Sequence, residues 1–120
     1  MAIITEQREW TSSSPIERDR RAYPRKRAKA SGKYRPIERP LLQAIIVKLV
    51  DISQGGIGML VPEALPTGAE LEIEMIPTAG PGSVVATAEV RWSAPNGKGF
   101  YRVGCRWTRP LTYADLQRVI

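Results

Sequence analysis

The chain has 120 residues, of which 42% are hydrophobic and 25% charged, with a net charge of +6 at neutral pH; this suits one small domain and leaves little for a second folded unit. No apolar run reaches the ~20 residues of a membrane helix, and Glu6, Arg8 and Glu9 interrupt the stretch where the apolar part of a secretion signal would run, so a cytoplasmic location without membrane insertion is expected. The single cysteine, Cys105, and the absence of histidine exclude an internal disulfide and the usual zinc, haem and histidine-based catalytic arrangements, and no convincing carboxylate pair suggests an enzyme or a cofactor.

Residues 1–19 mix polar residues with Ser12-Ser13-Ser14-Pro15 and show no sustained period, which predicts a flexible arm ahead of a domain over 20–120. The charge is concentrated next to it. Residues 1–50 carry +7 and residues 51–120 carry −1, and Arg18 to Arg35 alone holds nine cations against Asp19. Such a segment seeks anions, and its arginine bias favours bidentate contact with phosphate or a guanine edge. Pro24, Gly32, Pro36 and Pro40 break this region and leave room for one short strand near Arg27 to Ala30.

Gln43 to Ile52 is rich in β-branched residues and apolar on both faces apart from Lys48, as a well-covered central strand should be. Asp51-Ile52-Ser53-Gln54-Gly55-Gly56 then forms a turn in which the two glycines are expected to take positive φ. Ile57 to Val61 is the next strand. Leu71, Ile73 and Met75 alternate with Glu70, Glu72 and Glu74, a strand with one wet face. Val84, Ala86, Ala88, Val90 and Trp92 share one face of another, and Asn96-Gly97 signals the hairpin leading to a last strand on which Tyr101, Val103, Cys105 and Trp107 face one way. Thr112 and Asp115 match a capping box for a short helix carrying Leu116, Val119 and Ile120 on one side. Five clear strands, one weak strand and a terminal helix make an all-β fold, a small antiparallel barrel or sandwich.

Two motifs stand out. Asp51, Ser53 and Gly56 spell [DN]xSxxG at a strand end, a pattern expected by chance about 0.02 times in such a chain. Arg21 and Arg25 spell RxxxR, which is weak alone, since Arg35/Arg39 and Arg102/Arg106 share that spacing. On Arg-Arg-Ala-Tyr-Pro-Arg at 20–25 and Asp-Ile-Ser-Gln-Gly-Gly at 51–56, and on the later runs Ala88 to Trp92 and Tyr101 to Trp107, the sequence resembles the PilZ family, bacterial receptor domains for cyclic diguanylate (cyclic di-GMP). The likeness runs from about Asp19 to Ile120. It implies a six-stranded antiparallel β-barrel with a short C-terminal α-helix and a basic N-terminal arm.

The resemblance also implies a ligand site at Arg20, Arg21, Arg25, Asp51, Ser53, Gly55 and Gly56. Cyclic diguanylate is a dianion whose guanines offer O6 and N7 acceptors, N1 and N2 donors and a flat face. Arg21 and Arg25 would contact phosphate and the O6/N7 edge or stack on a base. Asp51 would accept from guanine N1 or N2, Ser53 would add a hydroxyl contact, and Gly55 and Gly56 would let the ligand approach the backbone. In this family a cation just before RxxxR accompanies an intercalated ligand dimer, and Arg20 holds that place, so two ligand molecules per site are expected. Ordering of the basic segment around the ligand would then signal to a protein partner. Two other functions remain: a barrel that binds single-stranded nucleic acid, disfavoured because most aromatics fall on faces that read as core, and a PilZ-like interaction module without a nucleotide. Asp51 and Ser53 would in that case only close a turn, and Cys105 is expected to be core.

Overall fold

A computed structural model describes residues 24–39 and 43–120; the expected N-terminal arm, Arg20 and Arg21 lie outside these residues. In chain order the elements are β1 (Lys26–Arg27), β2 (Ala30–Pro36), β3 (Ile45–Ile52), β4 (Gly56–Val61), β5 (Glu70–Pro77), β6 (Val84–Gly97), β7 (Phe100–Trp107) and the helix α1 (Tyr113–Val119). All pairings are antiparallel. The sheet runs β3-β2-β5-β6-β7-β4, and β4 pairs back onto β3, so six strands close into a barrel while β1 is an extra strand on the far end of β3, opposite Asp51 and Ile52.

Period-two patterning decides what fills the barrel. Leu71, Ile73 and Met75 of β5 point inward with Ile57, Met59 and Val61 of β4 and Val103, Cys105 and Trp107 of β7, all in one buried cluster, while Glu70 and Glu72 stay outside. Thr112 caps α1 by accepting from the Asp115 amide at 3.1 Å, as the capping pattern predicts. Leu116 and Val119 then close one end of the barrel against β5.

The weak first strand is longer and later than the sequence suggests. β2 runs through Gly32 and ends at Pro36, paired with β5 from Ala30↔Pro77 to Pro36↔Leu71. Gly32 and Tyr34 face the interior and Lys33 and Arg35 face out, so the strand has regular alternation in which one inward position is a glycine. The glycine is there for packing: a Cβ at Gly32 would stand 2.5 Å from Leu49 Cδ2. Nor is β3 covered on both faces. Its Val47, Leu49 and Ile52 are buried, but Ile46 is 74% exposed on the outside. The β6–β7 hairpin also turns two residues later than Asn96-Gly97 implies, because Gly97 pairs with Phe100 and Lys98 and Gly99 hold the positive φ values of 56° and 81° that a tight type I′ turn requires.

Candidate functional site

The turn after β3 is closed by its serine. Ser53 is 2% exposed, and its Oγ accepts from the amides of Gly55 at 3.1 Å and Gly56 at 3.2 Å. Its own amide donates to the Gly56 carbonyl at 2.9 Å, and its carbonyl accepts from the Trp107 indole at 3.0 Å. Positive φ is not what the glycines provide: among the described residues it occurs at Lys98 and at Gly68, Gly80, Gly82, Gly97 and Gly99, and neither Gly55 nor Gly56 is among them. Gly56 is required by close approach instead, since a Cβ there would collide with the Cys105 carbonyl oxygen on β7 and lie 3.3 Å from the Arg25 guanidinium.

Two β-bulges set the face beside this turn. The β3–β4 register slips between Leu49 and Asp51, making Val50 the extra residue, and the β6–β7 register slips between Val90 and Trp92, making Arg91 extra. Each bulge reverses the alternation that follows it. Asp51, two positions after buried Leu49, therefore faces outward, and so does Trp92, two positions after buried Val90. Trp92 is 47% exposed, against the expectation that it continues the core face of β6.

The bulges bring these two side chains into line. Asp51 is in register with Gly58 of β4, Gly58 with Gly104 of β7, and Gly104 with Trp92 of β6. Both glycines lack a side chain because their neighbours cover them: a Cβ on Gly58 would be 2.6 Å from Asp51 Oδ1, and one on Gly104 would collide with the Trp92 indole. The result is a row on the outer barrel wall in which a carboxylate lies over one glycine and an indole over the other.

Cations flank the carboxylate. Arg25 Nη1 donates to Asp51 Oδ1 at 3.2 Å and Arg102 Nη2 to Asp51 Oδ2 at 3.4 Å, and all three side chains are roughly a quarter to a third exposed. Just beneath, burial pushes the Cys105 thiol up to about 12, with the Arg25 guanidinium pulling it the other way, so the sulfur is a neutral core group. Two guanidiniums, an acceptor and an aromatic face suit a planar, donor-rich anion. The site is a surface. A cavity of about 550 Å³ lined by Pro36, Ile45, Glu63, Leu65 and Leu71 lies at the opposite end of β3.

Of the residues singled out in the sequence, Arg25, Asp51, Ser53, Gly55 and Gly56 converge on this face; Arg20 and Arg21 lie outside the described residues. Arg102 and Trp92 were missed. Arg102 reads as half of a surface pair with Arg106, and nothing in the spacing marks either bulge. Among the described residues no helix is long and apolar enough to cross a membrane, and no group of three or more acidic or cysteine side chains could hold a metal ion.

Among curated protein sequences none matches the chain. Solved structures with the same fold include the Bacillus subtilis inhibitor of motility MotI (DgrA), with a TM-score of 0.62 and 17% identity over 83% of this chain and 48% of that one. They also include the PilZ domain of Escherichia coli YcgR with c-di-GMP, with a TM-score of 0.57 and 21% identity over 82% of this chain and 86% of that one. The K. pneumonia MrkH–c-di-GMP complex gives a TM-score of 0.57 and 17% identity over 82% of this chain and 48% of that one. The chain thus spans about half the length of the MotI and MrkH chains. The PilZ domain family model matches residues 19–120, the barrel with its terminal helix and the basic run that leads into it, and the chain belongs to the PilZ domain family.

Proposed function

We propose that this PilZ domain is a receptor for cyclic diguanylate, held on the outer barrel wall between the basic N-terminal segment and the row from Asp51 to Trp92. The observation that carries the reading is the pairing of Arg25 with Asp51 at 3.2 Å, which sets one arginine of the RxxxR run directly against the acid of the DxSxxG turn. The same fold carries c-di-GMP in the YcgR and MrkH structures.

Each group has a role that its chemistry allows. Asp51 accepts from guanine N1 and N2, and Arg21 and Arg25 donate to phosphate or to guanine O6 and N7. The Ser53 hydroxyl oxygen organises the turn that presents Gly55 and Gly56, and its proton is the hydroxyl contact left for the ligand. Trp92 offers its face to a base. Arg20 supplies the further cation that two stacked ligands, with four phosphate charges, would require. Engagement of Arg20 and Arg21 rearranges the segment before Pro24 and changes the surface offered to a protein partner.

Calorimetric titration with cyclic diguanylate, run beside Arg21→Ala and Asp51→Ala and beside a mixed-sequence single-stranded DNA, tests this directly. Micromolar or tighter binding at two ligands per chain, lost in both variants, is expected. A stoichiometry of one removes the role given to Arg20. Absence of nucleotide binding leaves an interaction module, and salt-sensitive DNA binding points to a nucleic-acid barrel instead.

A further inference from the structure

Arg102 lies outside both motifs, on the outer face of β7 between its register partners Leu60 and Ala94. It brackets Asp51 from the side opposite Arg25. Each carboxylate oxygen holds one guanidinium, at 3.2 Å and 3.4 Å, both longer than the ~2.7–2.9 Å of a strong charge-assisted bond. The second distinguishing feature is Arg102 Nε, which is buried and has no hydrogen-bond partner among the described residues. A guanidinium carries five donors in a fixed fork, and an unmet buried donor is costly, so the present pose of Arg102 uses its donors poorly.

We propose that Arg102 is a third arginine of the ligand site, parked on Asp51 in this arrangement and transferred to a ligand phosphate on binding. The inference rests on the cyclic diguanylate reading and extends it to a residue that neither motif contains. When guanine N1 and N2 donate to the two Asp51 oxygens, each oxygen is shared between a guanine and the arginine it already holds at 3.2 Å or 3.4 Å, which weakens the hold on Arg25 and Arg102 just as a dianion arrives beside them. A phosphate offers Arg102 the bidentate geometry that its single contact with Asp51 lacks. Gly58 lets the two side chains meet against the barrel wall, since a Cβ there would be 2.6 Å from Asp51 Oδ1 and 3.5 Å from Arg102 Nη2. Two other outward arginines pair with a neighbouring acid, Arg35 at 3.5 Å from Glu72 and Arg91 at 3.5 Å from Glu89. The carboxylate is thus a placeholder for the phosphate, and the ligand-free site carries its own competitor.

The experiment titrates cyclic diguanylate into the full chain and into Arg102→Ala and Arg102→Lys at several salt concentrations, with a thermal melt of each. Arg102→Ala should weaken binding about ten- to a hundredfold and make the dependence of Kd on salt shallower, with little change in Tm. Arg102→Lys, whose charge cannot grip phosphate bidentately, should keep the salt dependence and recover only part of the affinity. The inference is overturned if the wild type binds and Arg102→Ala binds equally well. It is also overturned if Arg102→Ala weakens binding with the salt dependence intact, which would make the residue only a support for Asp51. Should the wild type itself not bind, the receptor reading fails first and the inference goes with it. If Arg102→Ala does not fold, the Arg102→Lys titration decides, since full affinity there would rule out bidentate contact.

Discussion

Asp51 and Trp92 stand on one outer row of the barrel, drawn from β3 and β6, with only Gly58 and Gly104 between them in register. Neither would face this way in a regular strand. Val50 and Arg91 are each one residue too many for their neighbours, and that excess turns the acid and the indole outward. The glycines follow from the same geometry, because the side chains turned out by the bulges lie down over them.

Replacing Trp92 tests the aromatic end of the row. Trp92→Ala should weaken cyclic diguanylate by roughly five- to a hundredfold, the range for one base stacked on an aromatic ring, and should lower Tm less than loss of a buried ring does, because the indole is half exposed. Trp107→Ala is the contrast. That ring is buried and bonded to the Ser53 carbonyl, so its loss should cost about 3–5 kcal/mol of stability. Unaltered ligand binding by Trp92→Ala would remove the aromatic from the site.

At the acidic end, Asp51→Ala should separate binding from folding. The two ion pairs it breaks are part-exposed and long, so stability should fall by less than about 1 kcal/mol, while ligand affinity drops more than about tenfold. Urea unfolding followed by titration of the same sample checks both. A large loss of stability would make Asp51 a structural brace first.

Gly56→Ala should destabilise the barrel itself. The added methyl meets the Cys105 carbonyl, a backbone atom fixed by the β4–β7 ladder, and overpacking of that kind costs about 1–3 kcal/mol. The urea midpoint should fall with an unchanged m-value. An unshifted midpoint would mean that β4 and β7 can part at no cost.

Stability should decline in alkali. Burial raises the Cys105 thiol from 9.0 to about 12, and burial together with the hydrogen bond to Glu63 raises the Tyr34 phenol as well. Both are neutral in the folded barrel and ionise first in the unfolded chain. Their contribution is complete below pH 9 and is lost as the pH climbs towards 12. A Tm series from about pH 8 to about pH 11 should slope downward, less steeply in Cys105→Ala; a level series contradicts the assignment.

Much of the barrel is legible in the sequence because one physical rule, alternation of apolar and polar residues, governs β5, most of β7 and the first part of β6. It fails where the rule changes without a change of residue type. Val90, Arg91 and Trp92 read as in, out, in; the pairing of Trp92 with Gly104 shows that Arg91 is not counted, and no local residue announces it. Gly32 and Pro36 misled for the opposite reason: they are breakers by propensity, yet Gly32 makes room for Leu49 and Pro36 sits at a strand end where a missing N–H is tolerated. The DxSxxG turn was recognisable from its residues, but its glycines serve close packing and serine capping, which depend on β7 lying next to β4. Arg102 was hidden because its partner, Asp51, is far away in sequence and meets it only when the barrel closes.

Lys29 gives the molecule a mechanical continuity. Its amide donates to the Val119 carbonyl in the last turn of α1 at 2.6 Å, and its carbonyl accepts from Thr78 at the end of β5 at 3.1 Å. Between this junction and Arg25 lie only Lys26, Arg27 and Ala28, the first two paired to β3 and the third bonded to the Val50 carbonyl. Every residue from Lys26 to Lys29 is thus bonded to the barrel or to α1, so the backbone that carries Arg25 is anchored at once to β3, to β5 and to the helix.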